Sequence, residues 1–228
     1  MKNISLIVFV TIVSFTIFPS SAQSRIATRY QYINNIKITE DNHINGTPYV
    51  NEKFVPARVI INDEETIYNA RYNAYLDIIE LEDQNRKTFS INKSVENLTI
   101  TLLDTGDVFE LIKYLEKYTI KESYFVHISP ASNKVKLFKK SNVKLIPAKP
   151  SFNGYDKARK AAYVRTSDEY YIKVGEENLA VLAPRKKKDI AKLLPDHKSE
   201  ILKFVKENKI KTSREEDLIE LVNYLNTL

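Results

Sequence analysis

The stretch Gly46–Glu82, GTPYVNEKFVPARVIINDEETIYNARYNAYLDIIELE, carries the clearest β-strand pattern in the chain. Within it, the side chains of Thr66–Tyr72 alternate between two faces, as they do in a strand. Ile78–Glu82 is predicted to be the return strand, because Asn73 and Asp77 between the two segments are turn-forming residues. The stretch therefore predicts a β-hairpin around which the sheet is built.

Beyond this hairpin, short strands divided by turns are predicted as far as Leu182. The spacing of the turns favours an antiparallel meander over βαβ units. The segment Val108–Tyr118 fits both a strand and a helical stripe. We favour a strand, because the segment directly follows a turn and leads into a further strand at Tyr124–Ile128. The best internal loop is Pro147–Gly154, which is rich in turn-forming residues.

Helical patterns replace the strands after Pro184. Apolar residues recur at helical spacing in Lys186–Leu194, in the segment that starts at Pro195 and after Ser213. Ser213 and Glu216 are spaced as a capping box, in which the hydroxyl bonds the Glu216 amide and the carboxylate reaches back. The sequence thus predicts an α+β fold: an antiparallel β-meander sheet, flat or curled into a half-barrel, followed by three C-terminal helices.

The N-terminus has the three parts of a secretory signal peptide: the cation of Lys2, the uncharged apolar run Ile4–Phe18, and the small residues that end at Ala22. The apolar run is shorter than the roughly 20 residues that a membrane-spanning helix needs. We predict an exported protein, periplasmic, outer-membrane-associated or secreted, whose membrane contact is limited to the cleaved signal peptide. The predicted order is signal peptide 1–22, N-terminal arm 23–45, β-rich domain 46–183 and helical segment 184–228 packed on that domain.

The composition excludes several kinds of chemistry. The chain has no cysteine for a disulfide or a thiolate nucleophile, and its four glycines are too few for a glycine-rich phosphate-binding loop. The three histidines are far apart and show no zinc-ligand spacing. The net charge of +6 is spread over lysines that are interleaved with acids. For an exported protein we therefore predict no nucleic-acid partner, and we also predict no cofactor and no metal.

Carboxylates are the remaining route to catalysis. Glu80 and Glu82 lie two apart on one predicted strand, hence on one face and roughly 7 Å apart at the backbone. A glycosidase can use a carboxylate pair at such a separation, but acids two apart are also ordinary on the solvent face of a half-buried strand. Asp77 is accounted for as a turn former. We therefore assign no catalytic residue. The alternative function is a hydrolase of envelope or extracellular glycans that acts through Glu80, Glu82 or Asp77.

The chain has 14 tyrosines and no tryptophan. Tyrosine combines a large apolar ring with a polar tip, which suits the core and rim of a sheet and also a binding face. The predicted binding face consists of tyrosines from two predicted hairpins and one arginine: Tyr68, Arg71, Tyr72, Tyr75, Tyr170 and Tyr171. The basic run Arg185–Lys188 lies where a helix begins and where the helix dipole disfavours cations, and it is either solvated or in contact with an anionic surface.

Two segments of the chain resemble a family of exported proteins of Bacteroidetes. They are Gly46–Phe54 (GTPYVNEKF) and Arg71–Glu80 (RYNAYLDIIE), which are similar to that family's G-[ST]-P-Y-L and R-Y-N-x-Y-x-D-x-I-E motifs. The lysine-rich C-terminal helices, with Glu215–Leu218 and Val222–Tyr224, are similar to its helical tail. The chain departs from the family at Ala57, near which a glycine is often found. The resemblance implies an exported protein with this build and implies no particular activity.

These observations together favour a non-catalytic exported or periplasmic protein that binds a protein, lipid or glycan partner of the cell envelope. The partner itself is not indicated by any motif. The glycan hydrolase stays as the alternative, and the two differ in whether a cleft lies beside the candidate carboxylates.

Overall fold

The computed structural model describes residues 44–130, 132–151, 157–176 and 178–228. The predicted signal peptide, residues 23–43 of the predicted arm and residues 152–154 of the predicted loop lie outside the described residues. At the start of the described chain, Asn45 forms a parallel bridge with Ala162. Gly46 follows with a φ of +76°, and a Cβ at this position would lie 2.5 Å from the carbonyl oxygen of Tyr163. This turn therefore requires glycine.

The described residues form twelve strands. They are β1 Val55–Ile61, β2 Glu64–Asn73, β3 Ile78–Glu82, β4 Thr88–Ser90, β5 Leu98–Leu102, β6 Val108–Glu116, β7 Thr119–His127, β8 Val135–Lys140, β9 Val143–Ile146, β10 Ala162–Arg165, β11 Glu169–Val174 and β12 Ala180–Leu182. Ten of them make one sheet in the order β12-β11-β8-β7-β6-β5-β1-β2-β3-β4, and β9 pairs with β10 separately. The predicted hairpin of β2 and β3 is confirmed, with Asn73 opposite Ile78.

The predicted α+β class is confirmed, but the predicted simple meander is wrong. Strand β12 also pairs with β6, so β6, β7, β8, β11 and β12 close into a five-stranded barrel. The four other neighbouring pairs in this ring are antiparallel. In a ring of five strands the closing pair must then be parallel, and Ala180 and Val181 pair in parallel with Tyr114 and Leu115. Closure pairs β12, which would be an edge strand in a meander.

Strand β6 belongs both to the barrel and to the open part of the sheet. On one side it pairs with β7 along its whole length. On the other side Val108–Glu110 pair with β5, and further along Tyr114 and Leu115 pair with β12. Val108–Tyr118 is thus a strand up to Glu116, as favoured. Its helix-like pattern arises because both faces of β6 contribute to cores, Phe109 to one and Ile112 to another.

Three apolar cores hold these elements together. The open part of the sheet packs around Ile61, Leu81, Ile100 and Tyr124, among others. The barrel interior is filled by a second set of side chains: Ile112, Tyr114, Phe125, Phe138, Tyr171 and Ala180. The third core lies between the outer face of β8 and β11 and the C-terminal helices.

The C-terminal helices are confirmed. They are α1 Lys187–Ile190, a 3-10 turn at Pro195–His197, α2 Lys198–Glu207 and α3 Glu215–Leu225. The apolar face of α3, with Leu218, Leu221, Val222 and Leu225, is fully buried in the third core. Asn226, which ends α3, accepts a hydrogen bond from the amide of Val135 through its Oδ1 and donates to the carbonyl of the same residue through its Nδ2, each at 2.9 Å. This amide therefore ties α3 to the first residue of β8.

The predicted capping box at Ser213 is wrong. The residue that caps α3 is Arg214, and it makes no side-chain capping bond. Two acids of the first turn accept other hydrogen bonds instead, one of them tertiary. The Glu215 carboxylate accepts a hydrogen bond from the Tyr170 hydroxyl at 2.8 Å, and the Asp217 carboxylate accepts one from a backbone amide in the preceding loop. Docking of the helix onto β11 thus replaces local capping.

Candidate functional site

Arg71 and Glu80 form an ion pair across the β2–β3 hairpin. They are cross-strand partners, and Arg71 Nε lies 2.8 Å from Glu80 Oε2. Their side chains are only 16 and 7 % exposed. The Tyr49 hydroxyl lies 3.1 and 3.3 Å from the two Glu80 oxygens, while the guanidinium lies over the rings of Tyr49 and Phe54 at 3.8 and 4.4 Å. The Glu80 carboxylate therefore has two partners, the Arg71 guanidinium and the Tyr49 hydroxyl.

Asp77 is held in a second polar cluster at the turn of the same hairpin. It has a φ of +55°, and its Oδ1 accepts hydrogen bonds from the Tyr72 hydroxyl at 2.8 Å and from the Tyr124 amide at 3.1 Å. Its Oδ2 pairs with the Lys93 ammonium. Burial raises the pKa of Tyr72 well above its usual value, and the nearby Asp77 charge raises it further. Tyr72 therefore stays a neutral hydrogen-bond donor to Asp77.

The three candidate catalytic carboxylates are thus held in separate polar contacts. Glu82 shares a face with Glu80, as predicted, and its Oε1 lies 3.4 Å from the Nδ2 of Asn69 on the neighbouring strand. None of Glu80, Glu82 and Asp77 lines the cleft beside β6 that is described below. A hydrolase needs one carboxyl group free to donate a proton at the bond that breaks.

The residues of the predicted binding face lie in different places. Tyr68, Tyr72 and Tyr171 are buried, the first two in the core of the open sheet and the third in the barrel interior. Tyr171 packs edge-on against Tyr114 and Phe125, with ring centroids 5.2 and 5.0 Å away. Their rings contribute to cores, so they do not form one surface.

The other members of that set are closer to solvent. Tyr75 is 40 % exposed and packs edge-on against Tyr163 at 5.2 Å. Tyr170 is half-buried under α3, where burial and its hydrogen bond to Glu215 raise its pKa. Arg71 is engaged by Glu80. The structure therefore brings Tyr68 and Tyr72 together on the buried face of β2, with Arg71 on the opposite face. The other three tyrosines lie apart from this face.

A cleft of about 960 Å³ opens beside β6. It lies where residues 111–113 of β6 pass from pairing with β5 to pairing with β12. The loop that precedes β5 and the turn between β1 and β2 form its other walls. Its ionisable lining consists of four acids and two lysines: Asp63, Glu96, Glu110, Glu122, Lys93 and Lys113. Sequence reasoning missed this site, because its lining comes from segments far apart in the chain.

The wall of the cleft at the β1–β2 turn is formed by residues with positive φ. Asn62 and Asp63 form a two-residue turn with φ of 48° and 66°, a conformation that Asn and Asp tolerate better than other non-glycine residues. Asn97, with φ of 52°, donates a hydrogen bond from Nδ2 to Oδ1 of Asn62 at 3.1 Å. This bond joins the two walls of the cleft at that point.

Glu110 connects the cleft to a buried histidine. The Nε2 of His127 lies 2.8 Å from Glu110 Oε2, and the imidazole is 7 % exposed with its ring against Phe138. Although the two atoms are close, the angles between them do not allow a hydrogen bond. The Nδ1 of His127 lies 3.4 Å from the carbonyl oxygen of Ser129. Both ring nitrogens lie near protein oxygens, and His127 does not line the cleft.

Within the described ranges no group of three or more His, Asp or Glu side chains could hold a metal ion, and no helix there has the length and apolar character needed to cross a membrane. We compared the chain with protein-family models, curated proteins and solved structures, and none of them matches it. The resemblance to the exported Bacteroidetes family stays a prediction.

Proposed function

We propose that the protein is a non-catalytic exported or periplasmic protein that binds a partner of the cell envelope in the cleft beside β6. The observation that carries this proposal is the cleft itself, with about 960 Å³ of space and a polar, mainly acidic lining. This volume is within the range of roughly 300–1,000 Å³ that ligand pockets occupy.

The charge of the cleft is opposite to that of the chain as a whole. The chain carries a net charge of +6, whereas acids outnumber lysines in the lining by four to two. One of those lysines, Lys93, is already paired with Asp77, and the other, Lys113, is the cross-strand partner of Glu122. Complementary charge selects partners and speeds their association. The partner class that fits is therefore a basic segment of a protein.

A non-catalytic role is supported by the carboxylates of the β2–β3 hairpin. Glu80 is paired with Arg71 and Asp77 with Lys93, so neither carboxylate is free to act as an acid or a nucleophile. The alternative, a glycan hydrolase, rests only on these residues and Glu82. A glycan-hydrolysing activity of the purified protein that is lost in a folded Glu80→Gln variant would favour it.

The proposal is tested by fluorescence anisotropy with two labelled probes of opposite charge, an oligolysine and an oligoglutamate. We expect the oligolysine to bind and the oligoglutamate not to bind. The double variant Glu96→Gln/Glu122→Gln should weaken binding by about tenfold, because each removed charge was worth about 1 kcal/mol or less in this solvated setting. Glu207→Gln/Glu220→Gln removes the same charge from exposed positions on α2 and α3 and serves as the matched control.

Equal weakening in the control and cleft variants would show that only net charge matters, and it would overturn the cleft as the site. Absence of oligolysine binding at low salt would overturn the basic partner class. Export is tested separately by cell fractionation and by the N-terminal sequence of the recovered protein, which we expect to begin after Ala22.

A further inference from the structure

The hairpin of β6 and β7 carries an exposed apolar tip. Its turn is Lys117-Tyr118, and the Tyr118 side chain is fully exposed. Leu115 and Ile120 are cross-strand partners beside the turn, and they are 39 and 62 % exposed. Because cross-strand partners lie on the same face of a ribbon, these two side chains form one apolar patch below the tyrosine.

This tip projects from the rest of the barrel. Strand β7 pairs with β8 only at Val126 and His127, and β12 reaches β6 only at Tyr114 and Leu115. The ribbon beyond those pairings is supported by its own two strands. Lys117 has a φ of +56°, a conformation that a lysine rarely adopts and that a glycine would fill more easily. The turn therefore holds a charged residue where local energetics favour glycine.

A basic segment lies at the same end of the barrel. Because β12 runs parallel to β6, the chain leaves β12 in the direction of the hairpin tip, and the next residues are Pro184 and the exposed run Arg185–Lys188. No carboxylate among the residues that the structure describes forms an ion pair with this run. In residues 115–121 and 182–188 together, six cations stand against one acid, Glu116, which is paired with Lys121.

We propose that this barrel end binds the surface of an anionic lipid bilayer, a membrane contact in addition to the cleaved signal peptide to which the sequence-based prediction limits it. Tyr118, Leu115 and Ile120 would enter the interfacial region, where tyrosine is enriched, while the lysines reach the headgroups. Stable attachment without a spanning helix requires two signals, such as an apolar insertion and a polybasic patch, and both are present here. A few apolar side chains on a projecting tip offer far less than the roughly 800 Å² per partner of a standard protein interface. The surface is separate from the acidic cleft, and the inference does not depend on the cleft's function.

The test is cosedimentation of the exported, processed protein with vesicles of phosphatidylcholine alone and of phosphatidylcholine mixed with phosphatidylglycerol. We expect binding only to the mixed vesicles, and weaker binding at high salt. Tyr118→Ser/Ile120→Ser should weaken this binding about tenfold. Replacement of all four residues of Arg185–Lys188 by Gln should weaken it at least a hundredfold, since each cation near an anionic surface contributes about fivefold.

The controls remove the same number of cations, or one apolar side chain, at other exposed positions. Gln at Lys198, Lys203, Lys206 and Lys211 removes the same charge from the α2 region, and Ile219→Ser removes an apolar side chain from α3. Binding of these variants should stay within about twofold of the parent protein. Equal loss in the charge-matched control, absence of binding to the mixed vesicles, or unchanged binding of the Tyr118 double variant would each overturn the inference. Binding to soluble polyglutamate as tight as that to the mixed vesicles would also overturn the inference, and would indicate an acidic protein as the partner.

Discussion

The buried pair of Arg71 and Glu80 makes the sharpest prediction about stability. Arg71→Met leaves the Glu80 carboxylate 7 % exposed with only the Tyr49 hydroxyl beside it, at 3.1 Å from the nearer oxygen. Removing one member of a buried ion pair typically costs about 3–5 kcal/mol, because the remaining charge is desolvated without a partner. The lost contacts of the guanidinium with the two aromatic rings act in the same direction. We expect the free energy of unfolding to fall by about 3–5 kcal/mol.

A double-mutant cycle separates this effect from lost packing. Glu80→Leu should cost a similar amount, because it leaves Arg71 unpaired. In Arg71→Met/Glu80→Leu no charge remains buried, and the cost should drop to about 1–3 kcal/mol for the Tyr49 hydroxyl that loses its acceptor. The matched control is Arg58→Met: Arg58 pairs with Glu65 at 3.1 Å, but the two side chains are 47 and 52 % exposed. It should cost less than about 1 kcal/mol.

Urea denaturation followed by far-ultraviolet circular dichroism measures these values, provided that the dependence on urea is unchanged among the variants. The reasoning is refuted if Arg71→Met costs no more than Arg58→Met. It is also refuted if the costs of the two single changes simply add up in the double variant, because the ion pair would then contribute no coupling.

Three further predictions concern other contacts. Asn226→Ala should lower the free energy of unfolding by about 2–3 kcal/mol in urea denaturation, because the buried amide and carbonyl of Val135 lose their partner. Gly46→Ala should cost more than about 2 kcal/mol in the same assay, since its φ is +76° and the new Cβ would clash with the carbonyl oxygen of Tyr163. The contribution of Tyr72 to stability should be constant below pH 10.0, the usual pKa of tyrosine, and decrease above it. Tyr72 keeps its proton in the fold through burial and a neighbouring carboxylate, whereas the unfolded chain releases it, as a pH series of unfolding measurements would show.

Each of these has its own control. The control for Asn226 is Asn208→Ala, because Asn208 also ends a helix but its side chain bonds only within that helix. If Asn208→Ala lowered the free energy of unfolding as much as Asn226→Ala, the contribution of the contact with β8 would be contradicted. Gly106 has the same φ as Gly46 but open space around its Cβ position, and Gly106→Ala should cost less. In the Tyr72→Phe variant, the free energy of unfolding should decrease less steeply with pH above 10.0. An unchanged slope would show that other tyrosines cause the decrease.

The local elements follow from the sequence because their causes are local. The β2–β3 hairpin was predictable from alternation and from turn-forming Asn73 and Asp77, and the register then follows: once Asn73 faces Ile78, Arg71 must face Glu80. The ion pair was therefore within reach of the sequence. Without that register, the sequence places Arg71 on a binding face and makes Glu80 a candidate for catalysis.

The barrel and the cleft depend on contacts between residues that are far apart in the sequence. The pairing of Ala180 with Tyr114 joins residues far apart in the chain. A strand of three residues such as β12 has no sequence pattern from which its partner strand could be predicted. The burial of the tyrosines was also not predictable from local sequence. Alternation places Tyr68 and Tyr72 on one face of β2, but it does not say which face is covered, and the structure buries that face in the core of the open sheet.

Because β6 is completed on one side by a strand near the end of the sequence, the order in which the chain is synthesised affects its tendency to aggregate. Strands β5 to β8 leave the ribosome first, and until Ala180–Leu182 arrive, the β6 backbone at Tyr114 and Leu115 is an unpaired edge. Such an edge, with exposed apolar side chains beside it, can pair with a second chain. A chain that stops before β12 should therefore aggregate, and chaperones would be needed most in the interval before the barrel closes.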